Sequence, residues 1–253
     1  MNFKKTLFIL IILFIGFNTF AEDNPNFFPI PKLNFDVQAT DNPEEISLGL
    51  QIVFLLTILA LAPSILIMTT CFTRVVIVLS FVRRAIATQS IPSNQIVIGL
   101  AIFVTFYIMA PVWTEMNDTA IQPYIVREIT QPEAIDRAII PLRKFMIAQT
   151  RNKDLAMFVK YARGIKPKNI DEVPTHVIIP AFIVSELKTS FQMGILLFLP
   201  FLIVDITVAS ILMSMGMMML PPVMISLPFK LIIFVMADGW NLVIDSLVRS
   251  FRV

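Results

Sequence analysis

Two blocks of almost uninterrupted apolar residues dominate the chain, and a polar stretch separates them. Ile46 to Thr73 carries no charge. A helix needs about 20 apolar residues to cross a bilayer core, so this run is long enough. Pro63 lies in its middle and predicts a kink. Arg74 interrupts the run, the apolar pattern resumes from Val75 to Val82, and Arg83 and Arg84 end it. Ala87 to Asn94 reads as a turn, with Ser93 or Asn94 placed to cap the next helix. Gln95 to Trp113 forms the next apolar run, ending near Pro111. Residues 46–113 are therefore expected to form a helical hairpin. Its loop carries Arg83 and Arg84 and belongs on the cytoplasmic side by the excess of positive charge found there.

Residues 114–180 break the pattern. They hold ten of the twenty Lys/Arg residues and eight acidic ones. Thr130-Gln-Pro-Glu133 has the form of a capping box with proline in the first turn. Ile135, Ile139, Leu142 and Phe145 follow at helical spacing. A second short helix is expected over Asp154 to Arg163, stopping at Gly164 with Pro167 beyond. The stretch reads as a soluble helical insert on the periplasmic side. Its basic residues do not conflict with that placement, because long translocated segments escape the charge rule.

The second apolar block, 181–253, is expected to form another hairpin. Glu186 and Lys188 stand at its entrance, Thr189 to Val204 is uncharged, and Asp205 precedes a further uncharged stretch to Phe229. Lys230, Asp238 and Asp245 stud the last helix. Pro221-Pro222 enforces a break between the two helices. At the N-terminus, Lys4, Lys5, an apolar Thr6–Phe17 and the small residues Thr19 and Ala21 predict a signal peptide over 1–21. Residues 22–45, punctuated by Pro25, Pro29, Pro31 and Pro43, are expected to be an extended lead-in.

Composition agrees with a membrane protein. Hydrophobic residues make up 57% of the chain and charged residues only 15%, where soluble domains carry about 25%. The expected fold is all-α, a multi-span protein of two long helical hairpins with a soluble insert between them. The net charge of +2 gives no nucleic-acid signature. Cys71 and His176 are the only residues of their kinds, so no internal disulfide and no Cys/His metal cluster can form. No phosphate-binding glycine loop and no paired catalytic carboxylates occur. The sequence therefore predicts neither an enzyme nor a cofactor or metal site.

Two features carry information. A charge in the middle of an apolar span costs roughly 2.5–3.5 kcal/mol, so Arg74, Asp205, Lys230 and Asp238 need partners. An ion path through Asp205 and salt bridging between subunits are both open, and the scattering of the acids favours salt bridging. The other feature is Met213-Ser-Met-Gly-Met-Met-Met-Leu-Pro-Pro222, with five of fourteen methionines inside seven residues. Methionine is unbranched and polarizable and adapts to irregular partners. A cluster at a helix break points to a lumen lining or a partner-binding surface. Phe182, Phe191, Phe198 and Phe201 are packing or pore candidates, with packing favoured.

Several long runs resemble the FliP family of flagellar export gates and its injectisome relatives. They are Pro180-Ala-Phe-Ile-Val-Ser-Glu-Leu-Lys-Thr-Ser-Phe-Gln-Met-Gly194, Leu196 to Asp205, Met213 to Lys230, and Asp238-Gly-Trp-Asn-Leu242. Arg74 to Ser80 and Ala87 to Gln95 are also similar. The resemblance spans roughly residues 48–250 and is weak over 114–175. It implies a multi-pass bacterial inner-membrane protein of the flagellar basal body, required for flagellum assembly. It implies several copies assembled with FliQ-like and FliR-like subunits and other export proteins. Unfolded rod, hook and filament subunits would pass through the pore. By position, Met215, Met217, Met218 and Met219 would form a gasket in that pore, and Arg74, Glu186, Lys188, Asp205, Lys230 and Asp238 would be polar positions within the assembly. The family also places much of the helical assembly outside the membrane plane, which would account for polar residues in the apparent spans. The signal peptide and Leu220-Pro-Pro-Val223 lean toward the flagellar branch. The alternatives are an injectisome gate, a transporter or ion channel using Asp205, and a scaffold without a pore.

Overall fold

The computed structural model describes residues 43–88, 91–162, 167, 169–217 and 219–251. The expected signal peptide and most of the lead-in lie outside the described residues, as do Gly164 and Met218. The chain divides into two compact units, Met1–Ile52 and Val53–Val253. The packing described below belongs to the second.

The described residues are helical throughout, with no strand among them. The helices are α1 (Pro43–Thr69), α2 (Phe72–Ala85), α3 (Asn94–Met116), α4 (Gln122–Ile125), α5 (Gln131–Gln149), α6 (Asn152–Tyr161), α7 (Thr175–Ser214), α8 (Pro222–Met236) and α9 (Gly239–Arg249). A π-helical turn, Asn117–Ile121, joins α3 to α4. The first apolar run breaks at Thr70-Cys71, before the charge at Arg74. Thr69 donates its hydroxyl to the Ile65 carbonyl at 2.9 Å, and such side-chain bonds compete with the backbone ladder. The next run does not end near Pro111. Asn94–Ile125 continues as one apolar span, since a proline costs a membrane helix only one rung that neighbours can compensate.

Two expected caps are not made. Thr130 stands at the N-cap of α5 without a side-chain bond, and Glu133 instead pairs with Arg137 at 2.6 Å. Ser93 caps α3 in backbone geometry alone, while Asn94 receives the Arg83 guanidinium. Along α5, Phe145 is buried but Ile135 and Ile139 are exposed, so only the C-terminal part of the helical stripe faces the core. The short helix expected from Asp154 is α6, shifted by two residues at each end.

The core forms around α2 and the N-terminal half of α7. Val75, Val78, Leu79 and Val82 recur at helical spacing and are buried, which gives α2 one apolar stripe. Opposite them, α7 buries Ile178, Ala181, Phe182 and Ser185. The helices approach closely at Gly194, where a Cβ would lie 2.5 Å from Phe81 Cγ. Helices α5 and α6 cover the same half of α7, and α3 lies against α2 and α5.

At 40 residues, α7 is about 60 Å long, roughly twice a bilayer core of about 30 Å. Its first half is packed under charged helices, whereas Leu196, Ile203, Ile206 and Ile211 in its second half are exposed. Helix α1 is apolar and exposed along most of its length. Among the described residues, three segments are long and apolar enough to cross a membrane, Leu50–Thr69, Asn94–Ile125 and Thr175–Ser214. A fourth results if α8 and α9, bent by 63°, count as one broken span.

Candidate functional site

The methionine-rich loop sits at the tip of the hairpin formed by α7 and α8. Helix α7 ends at Ser214, and Gly216 turns the chain with φ +76°, a left-handed conformation that glycine adopts without strain. The turn is closed by the Gly216 amide donating to the Met213 carbonyl and the Met217 amide to that of Leu212, both at 3.0 Å. Pro221 is extended and α8 opens at Pro222. The thioethers gain little cover from this geometry. Met213, Met215 and Met217 are exposed, and Met219 is 99% exposed. The loop therefore presents an exposed apolar fringe that the described residues leave uncovered.

Behind the loop, an ion pair ties the two arms together. The Lys230 ammonium on α8 lies 2.6 Å from Asp205 Oδ2 on α7, with the lysine side chain 2% exposed and the aspartate 23%. Ser226, one turn before Lys230, donates its hydroxyl to the other carboxylate oxygen. Phe201 and Phe234 pack beside the pair, ring centroids 6.2 Å apart. The structure thus places the partners of Asp205 on the same chain, where sequence reasoning favoured a neighbouring subunit.

A second polar cluster lies in the core. Arg74 is buried on α2. Its Nε donates to Glu186 Oε2 at 2.8 Å, and Nη2 reaches the other Glu186 oxygen and Gln149 Oε1 at 3.5 Å. Its Nη1 donates to the Ser250 carbonyl at 2.9 Å and to Ser250 Oγ at 3.0 Å. The Phe251 ring lies 3.9 Å from the guanidinium carbon. Arg74 and Glu186, both singled out in the sequence, are therefore partners of each other.

Lys188 turns from α7 to Asp154 of α6. Asp154 also accepts from the Ser185 hydroxyl at 2.9 Å, and Ser185 accepts from the Arg151 amide at 2.9 Å. Burial pushes the Asp154 carboxyl up, but its bonds to Lys188 and Ser185 and the charges of Lys188 and Arg151 outweigh it. The net result is a value below the ordinary 3.8. Asp238 has no such pairing among the described residues. It caps α9 from a left-handed conformation, φ 49°, and accepts from Asn241 at 3.0 Å.

Of the phenylalanines, Phe182 and Phe201 are buried and Phe198 packs against the core. Phe191 is exposed and meets Phe81 edge-on, centroids 5.5 Å apart. His176 is exposed in the first turn of α7. Sequence reasoning missed Gln149, Asp154, Ser226, Ser250 and Phe251. Only their reach across more than twenty residues makes them partners, and no local spacing signals it.

These observations define an all-helical membrane protein with polar pairs locked inside the chain and an exposed apolar loop. The FliP family model matches residues 55–247. Flagellar biosynthetic protein FliP of Bacillus subtilis is 53% identical over 216 residues, covering 85% of this chain and 98% of that one. The FliP of Caulobacter vibrioides is 51% identical over 202 residues, 80% and 76% of the two chains. That of Borreliella burgdorferi is 49% identical over 224 residues, 87% of each. The chain belongs to the FliP family of flagellar biosynthetic proteins.

Proposed function

We propose that the chain is a pore-forming subunit of the flagellar type III export gate in the bacterial inner membrane. Several copies assemble with FliQ-like and FliR-like subunits, and unfolded rod, hook and filament subunits pass through the central pore. Residues 114–180 form the periplasmic insert between hairpins 46–113 and 181–253. Met215, Met217, Met218 and Met219 form the gasket that seals the closed pore and deforms around cargo.

The observation that carries this reading is the exposed methionine fringe on a loop whose two arms are fixed behind it by Asp205 and Lys230. Copies of such a loop brought around one axis would supply a ring of thioethers in an apolar constriction, which excludes hydrated ions by refusing them partners. Relatives named as flagellar support the flagellar branch over the injectisome. The engagement of Asp205 by Lys230 and Ser226 supports an anchoring role over ion coupling.

The test is the triple change Met215→Ala, Met217→Ala and Met219→Ala in the assembled gate, with membrane ion conductance as readout. The expected result is a leaky membrane with the gate still assembled. Unchanged conductance in an assembled gate refutes the gasket.

A further inference from the structure

Helices α8 and α9 form an elbow that begins at the methionine loop and ends at the C-terminus. Its outer end is held by the core packing of Leu247 and Phe251 and by the Arg74 cluster. Both Nη1 bonds of the buried guanidinium go to Ser250, and Phe251 covers its face. Phe251 also stacks on Phe145 of α5, centroids 6.4 Å apart. One guanidinium thereby joins α2, α7, α5 and the end of α9.

The elbow is closely packed at its bend. A Cβ on Gly239 would lie 2.3 Å from the Phe234 ring, so the bend is packed without slack. Trp240 stands edge-on to the same ring, centroids 5.3 Å apart. The ion pair at Lys230 is the fixed point between the two ends. From it the loop lies about 12 Å along α8 and the C-terminus about 25 Å along the path of the two helices, at 1.5 Å per residue. Close packing at the bend leaves little room for the two helices to move independently of one another.

We propose that Ser250 and Phe251 are positioning residues, a C-terminal latch on Arg74 that sets the place of the methionine loop through the α8–α9 elbow. The functional consequence rests on the pore reading; the mechanical coupling does not.

The experiment uses the full chain in the assembled gate, with Met219→Cys as a reporter. The native Cys71 is fully buried, so it is silent to maleimide. Labelling rate at position 219 and the amount of assembled gate on native gels are measured with and without Phe251→Ala. Coupled elements shift equilibria by about twofold to thirtyfold, so the expected result is normal assembly with a labelling rate changed at least about twofold. Phe251→Tyr, which keeps the ring over Arg74, should restore the parent rate. An unchanged rate in an assembled gate overturns the latch. If Phe251→Ala fails to assemble, Ser250→Ala, which removes one Nη1 acceptor with little packing loss, is judged by the same rate. Failure of both variants to assemble also overturns it, since the residues then serve folding alone. A rate change without any leak from the alanine-substituted loop would sustain the latch and refute the gasket.

Discussion

Lys230→Met isolates the Asp205 anchor. At 2.6 Å the gross attraction is about 6 kcal/mol at an effective dielectric constant of 20, and burial of the ammonium offsets much of it. What remains after the substitution, among the described residues, is a carboxylate held by Ser226. Stranding one member of a buried pair costs about 3–5 kcal/mol. Asp205 is 23% exposed, which places the cost near the lower end, about 3 kcal/mol. For a chain of this size that is a loss of about 6–12 °C in Tm, readable by thermal unfolding in detergent. Removing both charges in Lys230→Met with Asp205→Leu should recover most of the loss, because an apolar pair often replaces a buried ion pair without penalty. The same double variant should restore flagellar export. A Tm shift below about 2 °C for the single change, or a double variant no better than the single one, would refute the anchor. Loss of export in the double variant despite recovered stability would return Asp205 to an ion-coupling role.

Gly194→Ala places a methyl 2.5 Å from Phe81 and should destabilise the α2–α7 contact by about 1–3 kcal/mol; Phe81→Leu in the same chain should relieve it, as thermal unfolding would show. Replacing Met215, Met217 and Met219 by leucine keeps apolar volume, so conductance should stay low where the alanine changes leak. Asp154 titrates below its ordinary 3.8 in the folded chain. Its stabilisation is therefore complete above that value and is lost as pH falls through the lower folded value, and Asp154→Asn should flatten the acid limb of a pH–stability curve. Glu186→Gln should strand Arg74 and cost about 3–5 kcal/mol, with loss of folded subunit on size exclusion as the check.

The helical class was legible because apolar runs of membrane length leave few alternatives, and the breaks at Pro221-Pro222 and near Ala87 followed from local chemistry. The methionine loop was legible as a cluster at such a break. Its exposure was not, since that depends on how α7 and α8 end. The charged residues were visible as anomalies, but their pairing was not. Arg74 and Glu186 are 112 positions apart, and nothing in either neighbourhood names the other. Thr130 shows the opposite failure. The capping box was present in the sequence, yet Glu133 found Arg137 on the next turn of the same helix, and one local pairing displaced another.

The length of α7 has a consequence for biosynthesis. A ribosome-bound chain delivers a 40-residue apolar segment to a lipid layer that accommodates about 20 residues of it. The surplus half stays uncovered until α2, α5 and α6 close over it. Insertion of this chain is thus a race between its own folding and adhesion to whatever apolar surface lies nearest. That race is best won when α2 and α5, both made earlier in the chain, have already met through Arg74 and Gln149.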